Sequence, residues 1–77
     1  IQEAQVAVVF VEQPENQVKV SWRGRPGVDV ARLAGQFNGG GHTLAAGATI
    51  RGGLQSVMDQ VLAATNAAIQ PIEQASS

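Results

Sequence analysis

QVKVSWRGR, residues 17 to 25, alternates without a break: Val18, Val20 and Trp22 share one parity, Lys19, Ser21 and Arg23 the other. Successive side chains of a strand point to opposite faces, so this run predicts a strand with one apolar and one polar face. The apolar face implies a core beneath it, with Trp22 as its largest member. A second use of the Trp22 ring, as a stacking surface for a ligand, stays open at this point. The polar face carries a hydroxyl donor and a planar guanidinium fork two residues apart, a pair suited to phosphate.

Upstream, AQVAVVFVE (Ala4 to Glu12) is β-branched and aromatic on both parities. Val6, Val8 and Phe10 point one way and Ala7, Val9 and Val11 the other, which predicts a strand covered on both faces. QPEN (Gln13 to Asn16) supplies a turn, with Pro14 fixing φ at its second position. The two runs therefore read as an antiparallel hairpin. So apolar a first strand is a poor edge, because an exposed apolar edge invites pairing with another chain. It implies a covering part of a larger protein, of which this sequence is a fragment, or a dimer formed through that edge.

Downstream, Pro26-Gly27 breaks the strand and Asp29 is placed to cap a helix. Val30, Leu33, Ala34 and Phe37 follow at helical spacing, and Asn38-Gly39 supplies a stop. A short strand centred on Ala48 to Ile50 comes next, ended by Gly52-Gly53. Leu54 to Gln70 then forms a second helix, with Leu54, Val57, Met58, Val61, Leu62, Thr65, Ala68 and Ile69 along one face. Met58 on that stripe is core filler. Pro71 ends the helix, and residues 71–77 read as a disordered tail. The expected fold is α+β: one domain over 1–77, a small mixed β-sheet with two helices packed on it, in the order β-β-α-β-α.

With 77 residues the chain buries only about 60% of the surface it would expose unfolded. It has no cysteine, hence no disulfide and no thiolate metal site, which suits a reducing compartment. No apolar run approaches membrane-spanning length and no signal pattern opens the chain, so a soluble, cytoplasmic protein is expected. The net charge of −1 hides an uneven distribution. Lys19, Arg23, Arg25, Arg32 and Arg51 all lie between positions 19 and 51, where Asp29 is the only acid. Glu3, Glu12, Glu15, Asp59 and Glu73 occupy the flanks. A basic middle suits an anionic ligand, although scattered arginines on a solvated face would look the same.

That middle contains FNGGGHTLAAGA, residues 37 to 48, with three consecutive glycines before the chain's one histidine. Such a run is either a bare connector or a place where backbone must come close to something a side chain would block. Successive N–H groups without side chains can form a concavity for anionic oxygens. A histidine beside a phosphate donates a hydrogen bond and gains proton affinity from the anion, though His42 could equally cap a carbonyl. If the second strand lies beside the glycines, Ser21, Arg23 and His42 converge on one ligand. The stretch is neither a P-loop nor a dinucleotide fingerprint. One histidine, two aspartates and four glutamates show no metal-ligand spacing, no nucleophile with its base and no paired carboxylates. The composition points to binding, not catalysis.

VKVSWRGRPGVDVARLAGQFNGGGHTLAAGATIRGGL strongly resembles the C-terminal DHHA1 domain of the DHH phosphoesterase superfamily. The resemblance rests on S-x-R (Ser21, Arg23), the VDVARLA helix, GGGH (Gly39 to His42) and AAGA (Ala45 to Ala48), and covers roughly residues 17 to 70. It implies a substrate-binding domain that closes over short oligoribonucleotides (nanoRNA) or 3′,5′-nucleoside bisphosphates. Exonuclease or phosphatase action would belong to an N-terminal DHH domain of the same chain, whose aspartates and histidines bind manganese and are absent here. Arg23 and His42 would grip phosphate, Gly39, Gly40 and Gly41 would offer backbone N–H groups, and Ser21 would assist, with Ala46 and Gly47 beside them. Cyclic-dinucleotide phosphodiesterases share S-x-R and GGGH, and a related domain serves as a nucleic-acid-binding appendage in alanyl-tRNA synthetase. Two positions depart from the family pattern. Gly24 stands where a second serine is common, and Asn38 where a fourth glycine is common; Asn tolerates a left-handed backbone well.

Overall fold

A computed structural model of the chain describes residues 6–69. The ends of the first strand and second helix beyond these limits, Pro71 and the expected tail therefore lie outside the described residues. Four strands form one sheet: β1 (Val6–Gln13), β2 (Gln17–Gly24), β3 (Gly40–His42) and β4 (Ala45–Arg51), in the spatial order β1-β2-β4-β3. Every pairing is antiparallel, so the α+β class holds but the sheet is not mixed. The expected order of elements is kept, with one short strand, β3, added in front of β4.

The alternation of β2 decides the architecture. Val18, Val20 and Trp22 are buried to 1% exposure or less, beneath α1 (Val30–Gly35) and α2 (Leu54–Ile69). Val30, Leu33 and Ala34 of α1, Val57 and Val61 of α2 and Ala48 of β4 complete one core on this face, and Val6, Val8 and Phe10 of β1 pack against it. The hairpin turn holds Glu15 at φ 67° and Asn16 at φ 59°, left-handed values that join β1 to β2 in register Gln13↔Gln17.

Two expectations are corrected here. β1 is not covered on both faces: Val9 and Val11 are 54% and 48% exposed, and β1 is an edge of the sheet. The helices occupy one side only, so a strand apolar on both parities buries just one of them. The α2 stripe is also narrower than its apolar pattern. Val57, Val61 and Thr65 are buried, whereas Leu62 and Ala68 are exposed, because a single sheet face is all the helix has to cover.

Trp22 is fixed from two sides. Its indole Nε1–H donates to Thr65 Oγ1 at 3.1 Å, and the Thr65 hydroxyl donates onward to the Val61 carbonyl at 2.7 Å. The Phe37 ring stacks on it, with centroids 6.0 Å apart. Fully buried in this way, Trp22 has no face left for a ligand.

α1 begins where the sequence predicts. The Asp29 carboxylate accepts from the N–H groups of Ala31 (3.0 Å) and Arg32 (3.1 Å), supplying two of the partners a helix start lacks. The helix ends as Asn38 enters the left-handed region at φ 65° and the Gly39 N–H donates back to the Ala34 carbonyl at 2.9 Å.

Candidate functional site

Because α1 and α2 pack on one side, the other side of the sheet is open among the described residues, and pairing registers state which residues share it. Arg23, Ala45 and His42 form one row across β2, β4 and β3; Ser21, Gly47 and Gly40 form the next. Both rows have the parity opposite to Trp22, so they face away from the core. Strands two places apart lie about 10 Å from each other. Arg23 and His42, both exposed, therefore flank a gap floored by the small Ala45. Ser21 stands beside the flat, side-chain-free pair Gly47 and Gly40. The two rows make a shallow cradle with a guanidinium and a hydroxyl on one wall and an imidazole on the other.

The cradle's electrostatics follow from the same registers. Positions of the open face on the four strands include Lys19, Arg23 and Arg51, and none is an aspartate or glutamate. The basic middle of the sequence is thus partly sorted onto one surface, where like charges unrelieved by carboxylates raise the local concentration of an anion. Arg32 is an exception, lying on α1 in the opposite layer.

The turn that carries His42 is held in place. The Thr43 carbonyl accepts from the Val30 N–H and the Leu44 carbonyl from the Gly24 N–H, each at 2.9 Å. One bond ties the turn to the start of α1 and the other to the end of β2, which orients the imidazole relative to Arg23.

The glycines are not a bare loop; Gly40 and Gly41 are strand residues, and the three positions differ in what they need. A Cβ at Gly39 would overlap the Gly47 carbonyl oxygen and lie 2.6 Å from Ala48 Cβ. At Gly41 (φ +147°) it would lie 2.6 Å from the Ala45 carbonyl oxygen. Both are close approaches of this chain to itself. At Gly40 nothing stands within 4 Å, so Gly40 alone leaves open space above the sheet. The Gly39 N–H is already engaged by Ala34. Ala46 has core-side parity and packs against the core, while Gly47 lies on the open face.

The structure also adds residues to this face that the motifs do not single out. Lys19 pairs with Thr49 one row beyond Ser21. With Asn38 and Gly39 they line a depression. Their signal in the sequence was parity alone: Lys19 alternates in phase with Ser21 and Arg23. Among the described residues no three histidine, cysteine, aspartate or glutamate side chains are grouped to share a cation.

Comparison with known proteins gives the family. The model of the DHHA1 domain family matches residues 1–71, and the chain belongs to that family. It is also similar to the "Bifunctional oligoribonuclease and PAP phosphatase NrnA" of Thermus thermophilus, with 44% identity over 63 residues. That match covers 80% of this chain and 19% of the relative, so the chain corresponds to a small part of the relative's length. No helix among the described residues is long and apolar enough to cross a membrane.

Proposed function

We propose that this DHHA1 domain is the substrate-binding part of a DHH-family phosphoesterase. Its open sheet face grips the phosphate end of a short oligoribonucleotide or a nucleoside bisphosphate. The observation that carries the reading is the row Arg23–Ala45–His42 beside the row Ser21–Gly47–Gly40, on a face where the described strand positions hold no carboxylate. The Arg23 guanidinium supplies charge and paired N–H donors, which match the geometry of two phosphate oxygens. The His42 imidazole donates from the far wall, and the Ser21 hydroxyl donates from the same wall as Arg23. Gly40 and Gly47 let the phosphate approach the sheet without meeting a side chain.

Hydrolysis, in this reading, belongs to a DHH domain that faces the cradle and holds the manganese; this chain presents the substrate to it. The activities that the relative is named for, oligoribonuclease and PAP phosphatase, favour linear RNA ends and bisphosphates over cyclic dinucleotides. A cytoplasmic location fits such substrates.

The test is the affinity for adenosine 5′-monophosphate of the protein and of Arg23→Gln and His42→Ala. Losing a charged hydrogen bond costs about 1.5–3 kcal/mol, so Arg23→Gln should weaken binding roughly 10- to 100-fold. His42→Ala should weaken it about tenfold. Both side chains are exposed, so the thermal midpoint should stay within about 2 °C. Unchanged affinity in both variants would remove the site from this face.

A further inference from the structure

The open face does not stop at Ser21. One row further, Lys19 of β2 pairs with Thr49 of β4, and both are exposed. β3 has not yet begun at this level, and Asn38 and Gly39 take its place beside β4. Lys19, Asn38, Gly39, Gly47, Ala48 and Thr49 line a depression of about 380 Å³. Its floor is glycine and alanine, and its walls carry an ammonium, a carboxamide and a hydroxyl. Charge and several hydrogen-bond donors around a floor of small residues, with no carboxylate in the lining, is an environment for an anionic oxygen.

Asn38 reaches this place for a backbone reason. The end of α1 requires a left-handed residue, and Asn38 adopts φ 65° there. A glycine would serve the turn equally well, but it would bring no side chain. At this position asparagine meets the conformational demand and adds a carboxamide to the depression.

We propose that the depression of Lys19, Asn38 and Thr49 is a second phosphate subsite, used when the ligand is a single-stranded oligonucleotide. The inference rests on the proposed phosphate cradle at Arg23 and His42. Lys19 and Arg23 are four residues apart on one strand, about 13 Å. One nucleotide of extended backbone spans roughly half of that. A mononucleotide held at Arg23 therefore does not reach Lys19, and a chain of three nucleotides does. The middle row, with Ser21 and the glycines, lies between them as an unobstructed track. The consequence is length discrimination: the domain holds oligonucleotides more tightly than their terminal monomer.

The experiment measures dissociation constants of adenosine 5′-monophosphate and 5′-phosphorylated triadenylate for the protein and four variants. Lys19→Gln and Asn38→Asp should each weaken the triadenylate about tenfold and leave the monophosphate within about twofold. Arg32→Gln removes the same charge from the opposite layer and should change neither ligand by more than about twofold. Arg23→Gln should weaken both. If Arg23→Gln weakens both ligands while Lys19→Gln and Asn38→Asp leave the triadenylate within about twofold, the second subsite is wrong and the cradle stands. A Lys19→Gln loss equal for both ligands also overturns it, because Lys19 would then belong to the first site. If Arg23→Gln changes neither ligand, the cradle is wrong and the subsite falls with it.

Discussion

A methyl group added at Gly39 would collide with the backbone of β4, whereas one added at Gly40 would point into open space. Two neighbouring glycines thus answer to different constraints, and substitution separates them. Gly39→Ala should lower stability by about 1–3 kcal/mol, as overpacking against a fixed strand does. Denaturant unfolding measures this. Gly40→Ala should leave stability within about 0.5 kcal/mol and weaken phosphate binding, because its methyl occupies the cradle floor. Equal destabilisation by both would show that the close approach to β4 is not what selects glycine at 39. From sequence, the run is legible as a place where backbone comes close to something. What it approaches was not legible, because the partner at Gly39 and Gly41 is a strand whose register only the folded sheet sets. That Ser21, Arg23 and His42 share one face, in adjacent rows, follows from that same register.

The elements most legible in the sequence are those whose local chemistry and packing agree. β2 alternates because it divides core from open face, and Asp29 is read as a cap because a helix start needs acceptors that its own backbone cannot provide. Removing that acceptor by Asp29→Ala should cost about 1 kcal/mol, and Asp29→Ser should restore most of it; thermal unfolding distinguishes the two. α2 is tied to β2 through Thr65. Replacing it by valine leaves the buried Trp22 N–H without its acceptor, which should cost about 1–3 kcal/mol. A Thr65→Val protein as stable as the parent would mean that the indole N–H finds another partner. β3 was not legible. Glycines have little strand preference of their own, and the three residues pair because the Thr43–Leu44 turn is pinned to α1 and β2. The apolar first strand was legible as a strand, but its second covered face was not. The pattern records that Val9 and Val11 are apolar, and among the described residues no layer covers that side.

At the scale of the whole molecule, both helices pack on one side of a four-stranded sheet, and among the described residues nothing covers the other side. Among the described residues, three cations, one imidazole and the two hydroxyls of Ser21 and Thr49 line the strands of that open side, and no carboxylate opposes them. β1 adds the apolar row of Ala7, Val9 and Val11 along its flank. A small domain built this way keeps its core and its ligand surface on opposite faces of the same strands, so polar residues of β2 can change without touching the core. Binding by such a face must weaken with salt. For an oligonucleotide the log–log slope should be roughly −0.7 per phosphate neutralised, and Lys19→Gln should remove about one such increment. The central claim, that the open face is the ligand face, is tested most directly by following backbone amide resonances during titration with 5′-phosphorylated triadenylate. The account predicts saturable shifts at Ser21, Arg23, Gly40 and His42, extending to Lys19 and Thr49, with the exposed surfaces of α1 and α2 unmoved. Shifts confined to the helical layer, or none at saturating ligand, would contradict it.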